Sequence, residues 1–184
     1  MDTEYLDVSE SIGNHLRDTE ESLATAESCT GGLVASMVTD VPGSSDYFDR
    51  GAVTYSYRAK NQVLGVDQEW LDNEGAVNAR VATEMATGVL EFGDVDWGVS
   101  TTGVAGPGGG GEDVAVGEVY FGFAYASEKK LMDVGQDDFG SVELSDSGDG
   151  TVVHRRVFDG GRREVKRKAA VYALERLEEL LCCF

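Results

Sequence analysis

The turn Glu27-Ser28-Cys29-Thr30-Gly31-Gly32 stands between a short apolar stretch, Leu23-Ala24-Thr25-Ala26, and the apolar run LVASMV at 33–38. A serine between a buried strand and a helix start is held on a rigid scaffold. The free N–H groups at the helix start can stabilise an anion, whether a bound phosphate or the oxyanion of acyl transfer. Gly31 and Gly32 would let a ligand approach the backbone closely. From the turn alone, helix capping by Ser28 or Thr30 is the simpler reading. A nucleophilic serine needs a base. The chain has two histidines, His15 and His154, and neither has a local context suggesting a Ser-His-Asp triad. Lys60 is the remaining candidate. It follows Tyr55-Ser56-Tyr57-Arg58-Ala59, just after a strand that could lie beside the first. A buried lysine next to another cation has a lowered pKa and could take the proton from a serine Oγ, a known variant of the triad logic. A solvated helix lysine is the plainer alternative, and the sequence alone favours it.

Cys29 is a rival nucleophile by neighbourhood, but adjacent side chains at a turn seldom face one cleft, and a thiolate wants a histidine or a strong positive field. It reads as packing. The stretch Thr101-Thr102-Gly103-Val104-Ala105-Gly106-Pro107-Gly108 continues through Gly111, with six glycines in residues 103–111. Gly106, Gly108 and Gly111 match GxGxxG formally. No helix follows, however, Pro107 sits inside and Glu112-Asp113 comes next, so a dinucleotide fold is excluded. What remains is a loop whose N–H groups could wrap a small anionic or polar ligand, set against a flexible connection. Seven of the 15 cations fall in residues 155–168: Arg155, Arg156, Arg162, Arg163, Lys166, Arg167 and Lys168. Five lie near a helix start, where the dipole disfavours cations. An outside phosphate or carboxylate partner would explain that, and internal salt bridges would explain it equally well. Metal-ligand spacing is absent, so neither a metal nor another cofactor is expected.

The elements that must position these residues alternate. Helical periodicity covers 4–18, with Leu6, Ile12 and Leu16 apolar. Strands are expected at Leu23–Ala26, Gly51–Tyr55, Trp97–Thr101, Val116–Ala126, Leu131–Val134, Val142–Leu144 and Val152–Phe158. Helices are expected at 33–38, Tyr57–Leu64, from Asn78 as cap to about 92, and about 161–181. Strands interleaved with helices imply an α/β fold, one layered domain over 1–184 with a mixed sheet flanked by helices and an antiparallel meander in its second half.

The chain of 184 residues carries 34 Asp+Glu against 15 Lys+Arg, a formal net charge of −19. Charge of that sign repels nucleic acid everywhere except at a local basic patch. The absence of an 18-residue apolar stretch excludes a membrane span, and the acidic start MDTEYLDVSESIG is no secretory signal. Cys29, Cys182 and Cys183 form no disulfide framework, which fits a reducing cytoplasm. The shortage of cations falls on lysine, with five against ten arginines, and reads as adaptation to high salt, where a Debye length of about 3 Å at 1 M removes self-repulsion; an ordinary acidic cytosolic protein is the plain alternative.

Taken together, Ala26–Gly32, Val41-Pro42-Gly43-Ser44-Ser45, Tyr55-Ser56 with Ala59-Lys60, Leu64-Gly65-Val66, Gly75-Ala76-Val77, Thr102–Gly109, Val116-Gly117 and Gly160-Gly161-Arg162 closely resemble the CinA C-terminal domain family, the nicotinamide-nucleotide amidases. The resemblance implies removal of the amide of nicotinamide mononucleotide, giving nicotinate mononucleotide and ammonia. It implies Ser28 as nucleophile, Lys60 as its base partner, and Tyr55 and Thr102 as residues that position or polarise the reacting groups. Thr30, Gly31, Gly32, Gly103, Gly106, Gly108 and Arg162 would bind the small-molecule nucleotide, and the family's habit suggests a homo-oligomer. The family's usual Tyr-Ser-Asn-Glu-Ala-Lys stands here as Tyr-Ser-Tyr-Arg-Ala-Lys, Ala115 replaces the proline before Val116-Gly117, and 132–150 is longer and more acidic. The expectation is a stand-alone amidase domain. The alternative is a non-catalytic nucleotide-binding or assembly module of the same fold.

Overall fold

The computed structural model describes residues 5–111, 113–126 and 150–182. Among the described residues the sheet has five strands: β1 (Leu23–Glu27), β2 (Phe48–Val53), β3 (Trp97–Gly103), β4 (Glu118–Tyr125) and β5 (Thr151–Val157). They lie in the order β2-β1-β3-β4-β5. β1 runs parallel to both β2 and β3, and β3, β4 and β5 form the antiparallel meander expected from the second half of the sequence. The expected strands at 131–134 and 142–144 and the acidic stretch up to 149 lie outside the described residues.

Among the described residues six α-helices cover the two faces: α1 (Leu6–Thr19), α2 (Leu33–Thr39), α3 (Tyr57–Leu64), α4 (Gln68–Glu74), α5 (Ala79–Gly93) and α6 (Arg162–Leu181). Strand residues alternate between the faces, so each face has its own core. On one side Leu23, Trp97, Val99, Phe121 and Phe123 pack with Ile12 and Leu16 of α1, Val34 and Val38 of α2, and Leu174 and Leu177 of α6. On the other, Ala24 and Ala26 pack with Leu64 of α3, Leu71 of α4, and Val81, Met85 and Val89 of α5. Helix α5 lies very close to the sheet. A Cβ on Gly122 would stand 2.4 Å from the Ala82 carbonyl oxygen, so only glycine fits there.

Asn78 caps α5 as its position predicts, accepting from the Val81 N–H. Helix α4 was not expected. It is only seven residues long and is started by Asp67, whose carboxylate accepts from Trp70 N–H; such a short element leaves little periodicity to read. β2 ends two residues before the expected Tyr55 because Thr54 and Tyr55 leave the sheet toward α3.

The topology decides where a site can form. β1 sends its connection, through α2, to one face, whereas β2 sends its connection, through α3, α4 and α5, to the other. Adjacent parallel strands whose connections part in this way open a crevice outside their carboxyl ends. Ser28 follows the last residue of β1 at that crevice, and Thr54 follows the last residue of β2.

Candidate active site

Beyond Glu27 the sheet bonding continues for one more residue on each side. Ser28 N–H donates to the Thr101 carbonyl at 2.9 Å, and Thr54 N–H donates to the Glu27 carbonyl at 2.9 Å. The register places Thr54, Ser28 and Thr102 in one row across β2, β1 and β3, and strand alternation turns all three to the α3/α5 face. Lys60, on the first turns of α3, reaches into this row. Its Nζ lies 2.8 Å from Ser28 Oγ and 2.7 Å from the Thr54 carbonyl oxygen. Ser56 starts α3 by accepting from Ala59 N–H, which sets the helix phase that points Lys60 inward.

Lys60 is completely buried and Ser28 is 8% exposed. Burial without a carboxylate partner disfavours the ammonium, and the Lys60 pKa falls from 10.5 to about 8. Burial is the cause. Arg58, whose charge could have contributed, is exposed and donates from Nε to Gln62. The neutral amine keeps two N–H groups and one lone pair. With one N–H donated to the Thr54 carbonyl, the lone pair can accept from the Ser28 hydroxyl. Cys29, by contrast, has its thiol pushed up to about 12 by burial and stays neutral, as its packing role requires. His15 and His154 make no hydrogen bond to Ser28 or Lys60; His154 faces the Tyr172 hydroxyl at 3.2 Å.

The start of α2 differs from the expected cap. Neither Ser28 nor Thr30 caps it. The Glu27 carboxylate, 1% exposed, accepts from the N–H groups of Gly32 (2.8 Å), Val34 (3.1 Å) and Ala35 (2.8 Å). The Thr30 hydroxyl donates to the same carboxylate at 2.7 Å and lies 2.6 Å from Thr101 Oγ1. An oxyanion therefore cannot use Gly32 N–H as expected from the sequence. The Gly31 N–H has no partner among the described residues. Gly31 and Gly32 have φ of +65° and +95°, which bends the turn back over Glu27. Glu27 is the residue the sequence reasoning passed over; a hydroxyl directly before the helix, accepting from an N–H two or three residues on, is the usual signal, and a glutamate reaching five to eight residues forward is not. Glu27→Gln places an amide NH2 against a cluster of donors and removes the charge from the helix start. The expected loss is about 1–3 kcal/mol of stability, read as a lowered midpoint in denaturant unfolding.

Thr102, beside Ser28 in the register, donates from Oγ1 to the Ala76 carbonyl at 2.6 Å, tying the row to the loop before α5. Tyr55 is 59% exposed, and its hydroxyl accepts from Arg162 Nη2 at 2.6 Å. Arg162 Nη1 donates to the Gly106 carbonyl at 2.8 Å. The first residue of α6 thus joins the glycine-rich loop to the segment between β2 and α3. Gly103 ends β3, and Gly106 and Gly108 lie in the loop that this arginine holds. Tyr57 stands exposed at the first position of α3. Among the described residues no group of three His, Cys, Asp or Glu side chains could hold a metal ion, and no helix is long and apolar enough to cross a membrane.

The model of the CinA C-terminal domain family matches residues 6–143. The nicotinamide-nucleotide amidohydrolase PncC of Escherichia coli K12 is 42% identical over 176 residues, covering 96% of this chain and 94% of that protein. The protein of the same name from Enterobacter agglomerans is 41% identical over 92% of this chain and 90% of its own. Among solved structures, a CinA superfamily protein from Klebsiella pneumoniae 700603 superposes with a TM-score of 0.82 at 28% identity, covering all of both chains. The competence/damage-inducible protein CihA of Agrobacterium tumefaciens superposes at 0.80 with 33% identity over 96% of this chain and 94% of its own.

Proposed function

The chain belongs to the CinA C-terminal domain family, and from that premise we propose that it is a nicotinamide-nucleotide amidohydrolase that converts nicotinamide mononucleotide to nicotinate mononucleotide and ammonia. The observation that carries the chemistry is the buried contact of 2.8 Å between Lys60 Nζ and Ser28 Oγ at the carboxyl end of β1. Neutral Lys60 takes the Ser28 proton as Oγ attacks the carboxamide carbon. The Gly31 N–H stabilises the oxyanion. The Lys60 ammonium then protonates the departing nitrogen, the C–N bond breaks, and ammonia leaves an acyl-serine. A water molecule, deprotonated by Lys60, attacks that ester; the proton returns to Ser28 Oγ and nicotinate mononucleotide is released. Thr102 holds the row beside Ser28 in register through Ala76, and Tyr55, Arg162 and the backbone of the glycine-rich loop line the route by which the nucleotide enters.

The setting rests on charge and composition, and the assembly on the family's habit. The enzyme works in a salt-rich cytoplasm as a homo-oligomer of this amidase domain, without nucleic-acid or membrane partners and without a metal. Ammonia release from nicotinamide mononucleotide by the purified protein in molar chloride salt tests the reading directly; bound nucleotide without turnover would instead support the non-catalytic module. The pH profile is a second check. Only the neutral form of Lys60 is a base, and its pKa stands at about 8. Below that pH, kcat/KM rises about tenfold per unit, and above it the profile levels off. A profile flat from pH 6 to 9 would exclude Lys60 as the base.

A further inference from the structure

Thr54 follows β2 beside Ser28 in the register and is 2% exposed. Val53, one residue earlier, turns to the α2 face, where its Cγ2 lies 3.6 Å from the point a Cβ on Gly32 would occupy. Alternation therefore turns the Thr54 side chain to the α3 face with Ser28. Its backbone is engaged on both sides, the N–H by the Glu27 carbonyl and the carbonyl by Lys60 Nζ. Its hydroxyl, however, is buried and meets no hydrogen-bond partner among the described residues. A buried hydroxyl left so destabilises the resting fold. Lys60 has the complementary shortage, because its Nζ meets Ser28 Oγ and the Thr54 carbonyl. These two serve the lone pair and one N–H of the neutral amine, whereas the ammonium has three N–H groups and no lone pair. Lys60 is closed off from water, so the third N–H needs an acceptor from the protein.

We infer that the Thr54 hydroxyl accepts the third N–H of Lys60 when Lys60 takes the Ser28 proton, which makes Thr54 a positioning residue for the base. This rests on the amidase reading above, in which Lys60 holds a proton between two steps. The Ser28 O–H bond breaks and an Nζ–H bond forms, while Thr54 neither gains nor loses a proton. Among the described residues no other group is placed for the role. Thr102, the remaining hydroxyl of the row, is committed to the Ala76 carbonyl. Glu27 is held on the α2 face by its N–H donors, and Glu84 of α5 accepts from Arg80 and the Asp67 N–H. Arg58 of α3 donates to Gln62, and Asp49 and Arg50 of β2 pair with each other. The carboxylates of α4 and Glu91 of α5 are exposed. The titratable neighbour that acts on Lys60 is the Cys29 thiol, which burial keeps neutral.

The test follows kcat/KM for nicotinamide mononucleotide against pH in wild type, Thr54→Val, Thr54→Ala and Thr54→Ser. At low pH the ammonium exists both in the free enzyme and after proton transfer, so loss of its third bond cancels. At high pH the ammonium exists only after transfer, and the loss is felt in full. Thr54→Val and Thr54→Ala should therefore match wild type at pH 6, fall about tenfold below it at pH 9, and level off about one pH unit lower. Thr54→Ser, which keeps the hydroxyl, should restore the wild-type profile. An equal loss at both pH values, as a packing defect gives, would overturn the inference, and so would Thr54→Ser behaving as Thr54→Val. Lysine labelled with carbon-13 at Cε reads the same change without turnover, the Lys60 signal being identified by its loss in Lys60→Met. If wild type releases no ammonia, the amidase reading fails. The role of Thr54 still stands if the Lys60 signal titrates about one pH unit lower in Thr54→Val than in wild type and Thr54→Ser. It falls if the three titrate together.

Discussion

Ser28→Ala lowers ammonia release from nicotinamide mononucleotide by about 10³-fold or more while leaving the protein folded. In the proposed mechanism Oγ forms the covalent bond, and among the described residues the side chain it hydrogen-bonds is Lys60. The fold does not depend on it. The turn is shaped by Glu27, which accepts from three backbone N–H groups and the Thr30 hydroxyl, and Ser28's own backbone N–H stays bonded to Thr101. Loss of one hydrogen bond to Lys60 costs about 1 kcal/mol at most, because Nζ keeps the Thr54 carbonyl. A coupled ammonia assay and a thermal melt give the two readings. Activity within tenfold of wild type would remove Ser28 from the mechanism.

Lys60→Met has the second large effect, and it separates catalysis from stability. Activity falls as far as in Ser28→Ala, and the double variant is no worse than either single one, because the two groups act as a unit. Stability moves differently. The folded-state pKa of Lys60 lies at about 8 against 10.5 for the free side chain. Below pH 8 the ammonium is present in both states, and the folded protein carries an electrostatic cost of about 3 kcal/mol. Between pH 8 and 10.5 the unfolded chain binds more protons than the folded one, so wild-type stability rises with pH through that window. Methionine fills a similar volume with no charge, so this contribution to the rise disappears and stability at pH 7 is no lower than wild type. Denaturant melts of both proteins at pH 7 and 10 decide the matter. A rise of equal size in the variant would show that Lys60 is not the group responsible.

The two experiments rest on features of different range. The alternation of strand and helix, the start of α5 at Asn78 and the extent of α3 at Tyr57–Leu64 are legible in the sequence, because capping and apolar periodicity act within a few residues. The Ser28 turn and the glycine-rich loop are legible for the same reason. The cap of α2 was misread even at short range. Two consecutive positive-φ glycines fold the turn back so that Glu27, rather than a hydroxyl, meets the free N–H groups.

By itself the sequence determined which residues could do the chemistry: a serine at a strand-to-helix turn, a lysine after the neighbouring strand, an arginine at the start of the last helix. Local spacing left Lys60 as a solvated helix residue by preference and Ser28 as a cap, and the family resemblance alone implied the roles of base and nucleophile. The tertiary structure decided where the two side chains lie. The parallel pairing of β1 with β2, and connections that part to opposite faces, bring two residues 32 positions apart to 2.8 Å. The layer of α3, α4 and α5 then excludes the water that would have kept the lysine charged. A pKa lowered by burial and a contact made at long range belong to no local segment, which is why spacing could nominate Lys60 and only packing could bury it against Ser28.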